Sequence, residues 1–434
     1  MKRAALALFA LLILPAPAAF AQAGPPGSRD HVRYEKKHVD PTLKAMEHDA
    51  DSLKALADSV TSAIQKADRD KQKKKDEDKP VIRFDWSGVV RPASVEAFKA
   101  PFHFPPQRQY RTGTCWAFSS TSFFESETRR LTGQEIKLSE MYTVYWEYVE
   151  KALSYVARRG CQPFSQGSEE GAVPVIWRKY GTVPESAYTG LLPGKDKHDD
   201  EDMCAEMASY LNFAKDHNYW DEAVVVSQIR AILDRYMGRP PEEFEYAGRR
   251  YTPKAFLDQV LQLRLDDYVE FMSTLSVPFY TRAKYDFSDN WRPMVGYYNV
   301  PLQDFCDILT RATARGYTAT LGGDVSEAGI YGLENAAVVP SFDIPQKYID
   351  QDAREFRIDN ETTGDDHGLH LLASTKAGGH DWFLIKDSGA SAQWGKFKGY
   401  YFYRDDYVKL KMLSCMVHKD VVRDLLPKFE ARAK

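Results

Sequence analysis

Thr112-Gly113-Thr114 is a small, glycine-bearing turn that runs directly into Cys115, and the residues after it carry the spacing of one buried helix face. Trp116, Phe123, Phe124 and Leu131 recur with no Pro or Gly before Gly133, which predicts a helix that begins at the cysteine. The first turn of a helix holds unpaired N–H groups and the positive end of its dipole, so a cysteine there sits where an anion is favoured. The thiolate is the nucleophilic form of the residue. An isolated cysteine is more often a small buried hydrophobe. Gln109, six residues upstream, argues the other way, because a side-chain amide beside a nucleophile can donate to an oxyanion.

Length and charge narrow the classes. A chain of 434 residues can bury one large core or two modest ones. Its formal net charge of −4 provides no basic excess to neutralise phosphates, which argues against a nucleic-acid binder. Hydrophobic content of 43% with 13% aromatic residues is that of a folded protein.

Met1-Lys-Arg, an uninterrupted apolar run from Ala4 to Leu14, and Ala19-Phe20-Ala21 read as a signal peptide over residues 1–21, cleaved after Ala21. The run is too short to span a bilayer comfortably. The expected location is periplasmic or secreted, without stable membrane insertion after cleavage. Residues 22–40 are polar, carry Gly-Pro-Pro-Gly and read as a linker. Leu43, Met46, Ala50, Leu53, Ala57, Val60 and Ile64 then alternate at steps of three and four, an a/d stripe over about three heptads. Three readings stay open for it: a helix packed on its own domain, a homo-oligomer contact through residues 43–64, or a propeptide-like segment over the cleft. The charge run from Gln65 to Lys79 reads as a solvated linker or helix end. Four cysteines remain besides Cys115, namely Cys161, Cys204, Cys306 and Cys415, and they suit two disulfides or four buried thiols equally.

Gln-x5-Cys-Trp-Ala-Phe-Ser at 109–119 resembles the nucleophile segment of papain-like cysteine peptidases, most closely the bleomycin hydrolase/aminopeptidase C branch. The resemblance implies a Cys–His pair, a glutamine in the oxyanion hole, a residue that orients the histidine, and no cofactor. Gln107 also lies near Cys115, but Gln109 has the matching spacing. Cys161-Gln-Pro-Phe-Ser-Gln166-Gly167-Ser168-Glu-Glu-Gly171, with Tyr180-Gly181-Thr-Val-Pro184 beyond, resembles the family's substrate-binding loop, helix and exit. Gly167, Ser168 and Trp116 are the implied substrate contacts, with Ser168 standing where the family has a second glycine. A helix from Pro301 to Gly316, a strand at 317–321 and a Gly322-Gly323-Asp324-Val325 turn continue the likeness.

Asp366-His367-Gly368-Leu369-His370 reads as a strand entered through a polar turn, with His367 as the implied base. His370, three positions along a strand, falls on the opposite face. His380 lies in a Gly-Gly-His-Asp turn and is expected in solvent. A zinc site from these three histidines fits no standard ligand spacing, so no metal is expected. Leu384-Ile-Lys386-Asp387-Ser388-Gly389 stands where the family has Asn-Ser-Trp-Gly. Asp387 replaces the Asn and Gly389 the Trp. An Asp can still accept the imidazole N–H.

The expected architecture is α+β, a papain-like fold with a helical lobe and a β-rich lobe. A polar and helical segment (22–79) precedes the peptidase domain (80–434), which carries a helical insertion at about 185–290 in which Phe256, Val260, Leu263 and Tyr268 mark one helical face. The expected function is a cysteine peptidase acting on peptides or proteins through a thioester; the resemblance allows an aminopeptidase mode, and the choice between exopeptidase and endopeptidase stays open. The proposed site is Cys115, His367, Asp387 and Gln109. The alternative is an inactive homologue that binds peptides.

Overall fold

The structure, a computed structural model, describes residues 32–57, 61–287, 289–292 and 296–432. The leader assigned to 1–21 and Val60 of the apolar stripe lie outside the described residues.

The chain opens with strand β1 (Val32–Lys36), helices α1 (Pro41–Ala57) and α2 (Thr61–Glu77), and strand β2 (Pro80–Phe84), which pairs antiparallel with β1. Residues 32–36 are a paired strand and not the linker expected there, and the charge run takes the second of its two readings, as the C-terminal part of α2. Its helix is secured by cross-helix pairs that no local pattern displays: Lys73 reaches Glu47 and Asp51, and Lys44 reaches Glu77. Met46, Ala50 and Leu53 border a cavity of about 520 Å³ whose other wall includes Met141, Met203 and Met237. Met46 and Ala50 are thus partly covered by their own chain, while Leu53 stays 62% exposed.

The helical lobe contains α3 (Cys115–Thr132), α4 (Glu140–Ala157), α5 (Ala172–Tyr180), α6 (Glu201–Asp216) and α7 (Glu222–Met237). A hairpin of β3 (Phe244–Tyr246) and β4 (Arg249–Tyr251) and the short α8 (Pro253–Phe256) complete it. Ser139 and Asp221 cap α4 and α7 by accepting from backbone N–H groups, and α3 stops at Gly133, whose φ of 73° is left-handed. Phe123, Phe124 and Trp177 form its core with Met203, Met207 and Leu211 of α6 and Val225, Ile229 and Leu233 of α7. The insertion thus contributes to this core.

The second lobe is a ten-stranded sheet in the order β6-β7-β5-β14-β8-β11-β12-β13-β10-β9. Its strands and helices in chain order are β5 (Tyr268–Met272), β6 (Arg282–Ala283), β7 (Tyr297–Asn299), α9 (Leu302–Ala314), β8 (Ala319–Gly323), β9 (Ile330–Tyr331), β10 (Ala336–Ala337), α10 (Gln351–Asp359), β11 (His367–Ala377), β12 (His380–Lys386), β13 (Tyr400–Arg404), α11 (Asp405–Lys411), β14 (Met412–His418) and α12 (Leu426–Arg432). Tyr268 opens a strand, not the helical face assigned to it, because Gln262 takes a left-handed φ of 55° and ends the preceding helical turn. Gly322-Gly323 closes strand β8, so the turn expected there begins later. Phe429 of α12 packs on Phe271 and Tyr298, which seats the described tail on the sheet.

Arg354 ties this lobe together. Fully buried on α10, it donates to the carbonyls of Ser273, Lys409 and Leu413 at 3.0, 2.9 and 3.3 Å. Arg354→Met should destabilise the protein by about 1–3 kcal/mol or more, the cost of orphaning a buried acceptor, and so lower the urea midpoint. An unchanged midpoint would show that water replaces the guanidinium.

Candidate active site

Helix α3 packs along β11 and brings the start of the helix to the start of the strand. Gly113 is required just before it. A Cβ there would stand 2.7 Å from Gln166, so only glycine lets the loop at 161–171 approach the nucleophile turn. Cys115 is half-buried at the first helical position, and Trp116 beside it is buried.

His367 stands between Cys115 and Asp387. Its Nε2 lies 2.7 Å from Asp387 Oδ1, and the Cys115 side chain also acts on the ring. With Nε2 engaged, Nδ1 is the nitrogen left for sulfur. Burial opposes a charged ring, yet the charges of Asp387 and Cys115 and the hydrogen bond to Asp387 outweigh it. The imidazole is therefore held well above the usual histidine range. Asp387 is buried and also accepts from the Gly389 N–H at 2.6 Å. A Cβ at Gly389 would stand 3.3 Å from His367 Nε2, so the residue standing in place of the family's Trp lies directly against the ring.

Gln109 is buried and clasped from both sides. Its Nε2 donates to the Thr112 carbonyl at 2.7 Å, and its Oε1 accepts from Ser388 Oγ at 2.7 Å. The backbone repeats the contact, Gln109 N–H to Ser388 C=O at 3.0 Å. One amide hydrogen remains for another acceptor. Gln107 instead donates to Glu185.

In the loop at 161–171, Gly167 has φ +85° and its carbonyl accepts from Lys151 Nζ. Ser168 is buried and donates to Glu147 Oε1 at 2.6 Å, so its side chain turns inward, and Trp291 and Arg292 hold the same carboxylate. His370 is sealed against α3, its Nδ1 2.8 Å from Ser122 Oγ. His380 is half-buried, a correction to its expected exposure, since it opens strand β12 and its ring is held by Gln346 and Asp405. Among the described residues no cluster of His, Cys, Asp or Glu could hold a metal ion, and none of the five cysteines is paired.

The sequence reading missed Ser388 as the clasp on Gln109, and it missed the buried Glu169 and the pair Glu170 and Asp365, each of which brings a carboxyl oxygen within 3.0 Å of one point at Gly322. The adjacent acidic pairs at 169–170 and 365–366, each flanking a matched motif, were the visible signal.

No family model matches the sequence. Aminopeptidase C of Streptococcus thermophilus is 23% identical over 267 residues, covering 50% of this chain and 58% of that protein. Human cathepsin L2 is 29% identical over 120 residues, or 24% of this chain and 36% of that protein. The chain thus spans little more than half the length of the aminopeptidase it resembles. The crystal structure of PepW from Lactobacillus rhamnosis HN001 superposes with a TM-score of 0.61 at 16% identity, covering 91% of this chain and 95% of that one. That likeness is one of fold.

Proposed function

We propose, from the premise that this chain belongs to the papain-like cysteine peptidase family, that it hydrolyses peptide bonds through a thioester, in the aminopeptidase mode its relatives' names carry. The observation that supports this most is one imidazole shared by a half-exposed thiol and a buried carboxylate.

Each group has a role. Cys115 thiolate attacks the peptide carbonyl carbon, and the oxyanion that forms meets the free Gln109 amide hydrogen and the Cys115 backbone N–H. His367 gives its proton to the departing amine as the C–N bond breaks, leaving a thioester. Water, losing a proton to His367, then attacks that thioester; the C–S bond breaks, the acid leaves, and Cys115 returns as thiolate beside the protonated ring. Asp387 holds the ring throughout, and Gly389 N–H holds Asp387.

A peptidyl epoxide that alkylates thiols tests the reading. Near neutral pH it should label Cys115 alone, with loss of peptide hydrolysis in proportion; no selective labelling would favour the peptide-binding alternative. Gln109→Ala should lower kcat by ~10²–10³, the usual cost of one oxyanion donor. Full activity in that variant would remove Gln109 from the mechanism.

For location, no helix of the described residues is long and apolar enough to cross a membrane. We place the mature protein outside the cytoplasm on the leader pattern of residues 1–21. Amino-terminal sequencing should find a chain starting at Gln22; a retained Met1 in the exported fraction would refute cleavage.

A further inference from the structure

Beside Cys115 lies a group of carboxyls that the mechanism above does not use. A Cβ on Gly322 would stand 2.7 Å from Asp365 Oδ2, 3.0 Å from Glu170 Oε2 and 2.5 Å from Ser414 Oγ, so three oxygens from separate parts of the fold converge on one point. The other oxygen of Glu170 lies over Gly368, 2.6 Å from where its Cβ would be, next to the Trp116 backbone. Glu169 and Glu170 are buried, while Asp365 keeps part of its surface open.

Three buried polar atoms here have no hydrogen-bond partner: Ser414 Oγ and Glu169 Oε1, on residues 1% and 2% exposed, and Oε1 of Glu270 on the adjoining strand β5. Among the described residues, none of Glu169, Glu170 and Asp365 forms an ion pair with a Lys or Arg. Tyr285 donates to Asp365 Oδ2, and His367 bears on Asp365 from the neighbouring position. Burial first, then repulsion from Asp365, holds Glu169 and Glu170 well above the ordinary carboxylate range; burial first, then Asp289 and Asp366, pushes Asp365 up to about 7 against the Tyr285 hydrogen bond. Buried carboxylates without partners are costly, and what satisfies them is a positive donor. The oxygens are not disposed for a metal ion. An ammonium or guanidinium offers several diverging N–H donors instead.

We propose that Glu169, Glu170, Asp365 and Ser414 form a specificity pocket for a cationic group of the substrate, an ammonium or a guanidinium. The pocket rests on the peptidase reading for its link to cleavage, but not for its ability to bind. Two sources share this chemistry: a Lys or Arg side chain, and the free amino terminus of the peptide.

Calorimetric titration of full-length Cys115→Ala protein distinguishes them. One pair of acetylated peptides differs by Lys against norleucine one residue before the scissile position. A second pair differs by a free against an acetylated amino terminus. In one pair the charged member should bind tenfold or more tighter, and the pair that responds identifies the source. Glu170→Gln and, separately, the half-exposed Asp365→Asn should bring that ratio towards one while norleucine-peptide affinity stays constant, which also reports correct folding. Equal binding within both pairs overturns the pocket, as does a charge preference that both variants keep. Turnover is followed in parallel on the native protein. A preference without any cleavage would support the pocket and sink the peptidase reading; cleavage without preference would do the reverse.

Discussion

Cys115→Ala should abolish peptide hydrolysis, with a loss on the order of 10⁶ in kcat where a nucleophile of a triad is removed. Without sulfur no thioester can form, and Gln109 and His367 can then only bind and polarise the carbonyl. The other four thiols are poor substitutes. Burial pushes Cys204 and Cys306 up to about 12 and Cys415 higher still. Cys161 is exposed, but no hydrogen bond joins it to an imidazole among the described residues. The variant should keep its fold and its affinity for peptides, because Cys115 is a small side chain at a helix start. Hydrolysis of an unblocked peptide by native protein and variant, matched for concentration, makes the comparison. A variant that keeps more than about a thousandth of the native rate would show that another group carries the attack.

Much of this site is written locally. The turn into Cys115, the strand start at His367 and the segment at Asp387 each show in fewer than ten residues, because a helix start and a strand start are short-range decisions. Their meeting is a different matter. The clasp of Ser388 on Gln109 joins residues 279 positions apart, and nothing in either neighbourhood announces it. The same limit explains α2, where a run of lysines is helical because Lys73 finds Glu47 and Asp51 on α1. It explains Tyr268 too: apolar spacing alone carries a helix through it, and one left-handed residue at Gln262 ends that helix. The acidic group by Cys115 draws from α3's neighbour loop, the turn before β11 and β14, so no single stretch reveals it. Glu169-Glu170 looks like a solvated pair until β8 and β14 close over it.

Asp387→Ala should cost roughly 10²–10⁴ in kcat/KM, the range of a lost general acid–base function, whereas Asp387→Asn should cost far less. The difference lies in what Oδ1 does. It accepts both from His367 Nε2 at 2.7 Å and from the Gly389 N–H at 2.6 Å. An Asn oxygen can accept both, so the ring stays in place; alanine leaves the ring loose and the Gly389 N–H unpaired. Charge separates the two carbonyl-bearing side chains in another way. Burial disfavours the imidazolium, and Asp387 is the first of the charges that overcome it. Removing that charge lowers the His367 pKa, so the proton needed by the departing amine is lost at a lower pH. The alkaline limb of kcat/KM for Asp387→Asn should therefore move to lower pH, with the maximum little reduced. An alkaline limb that stays in place would mean that Asp387 acts through position alone; a native-like Asp387→Ala would mean that it does not act on the ring at all.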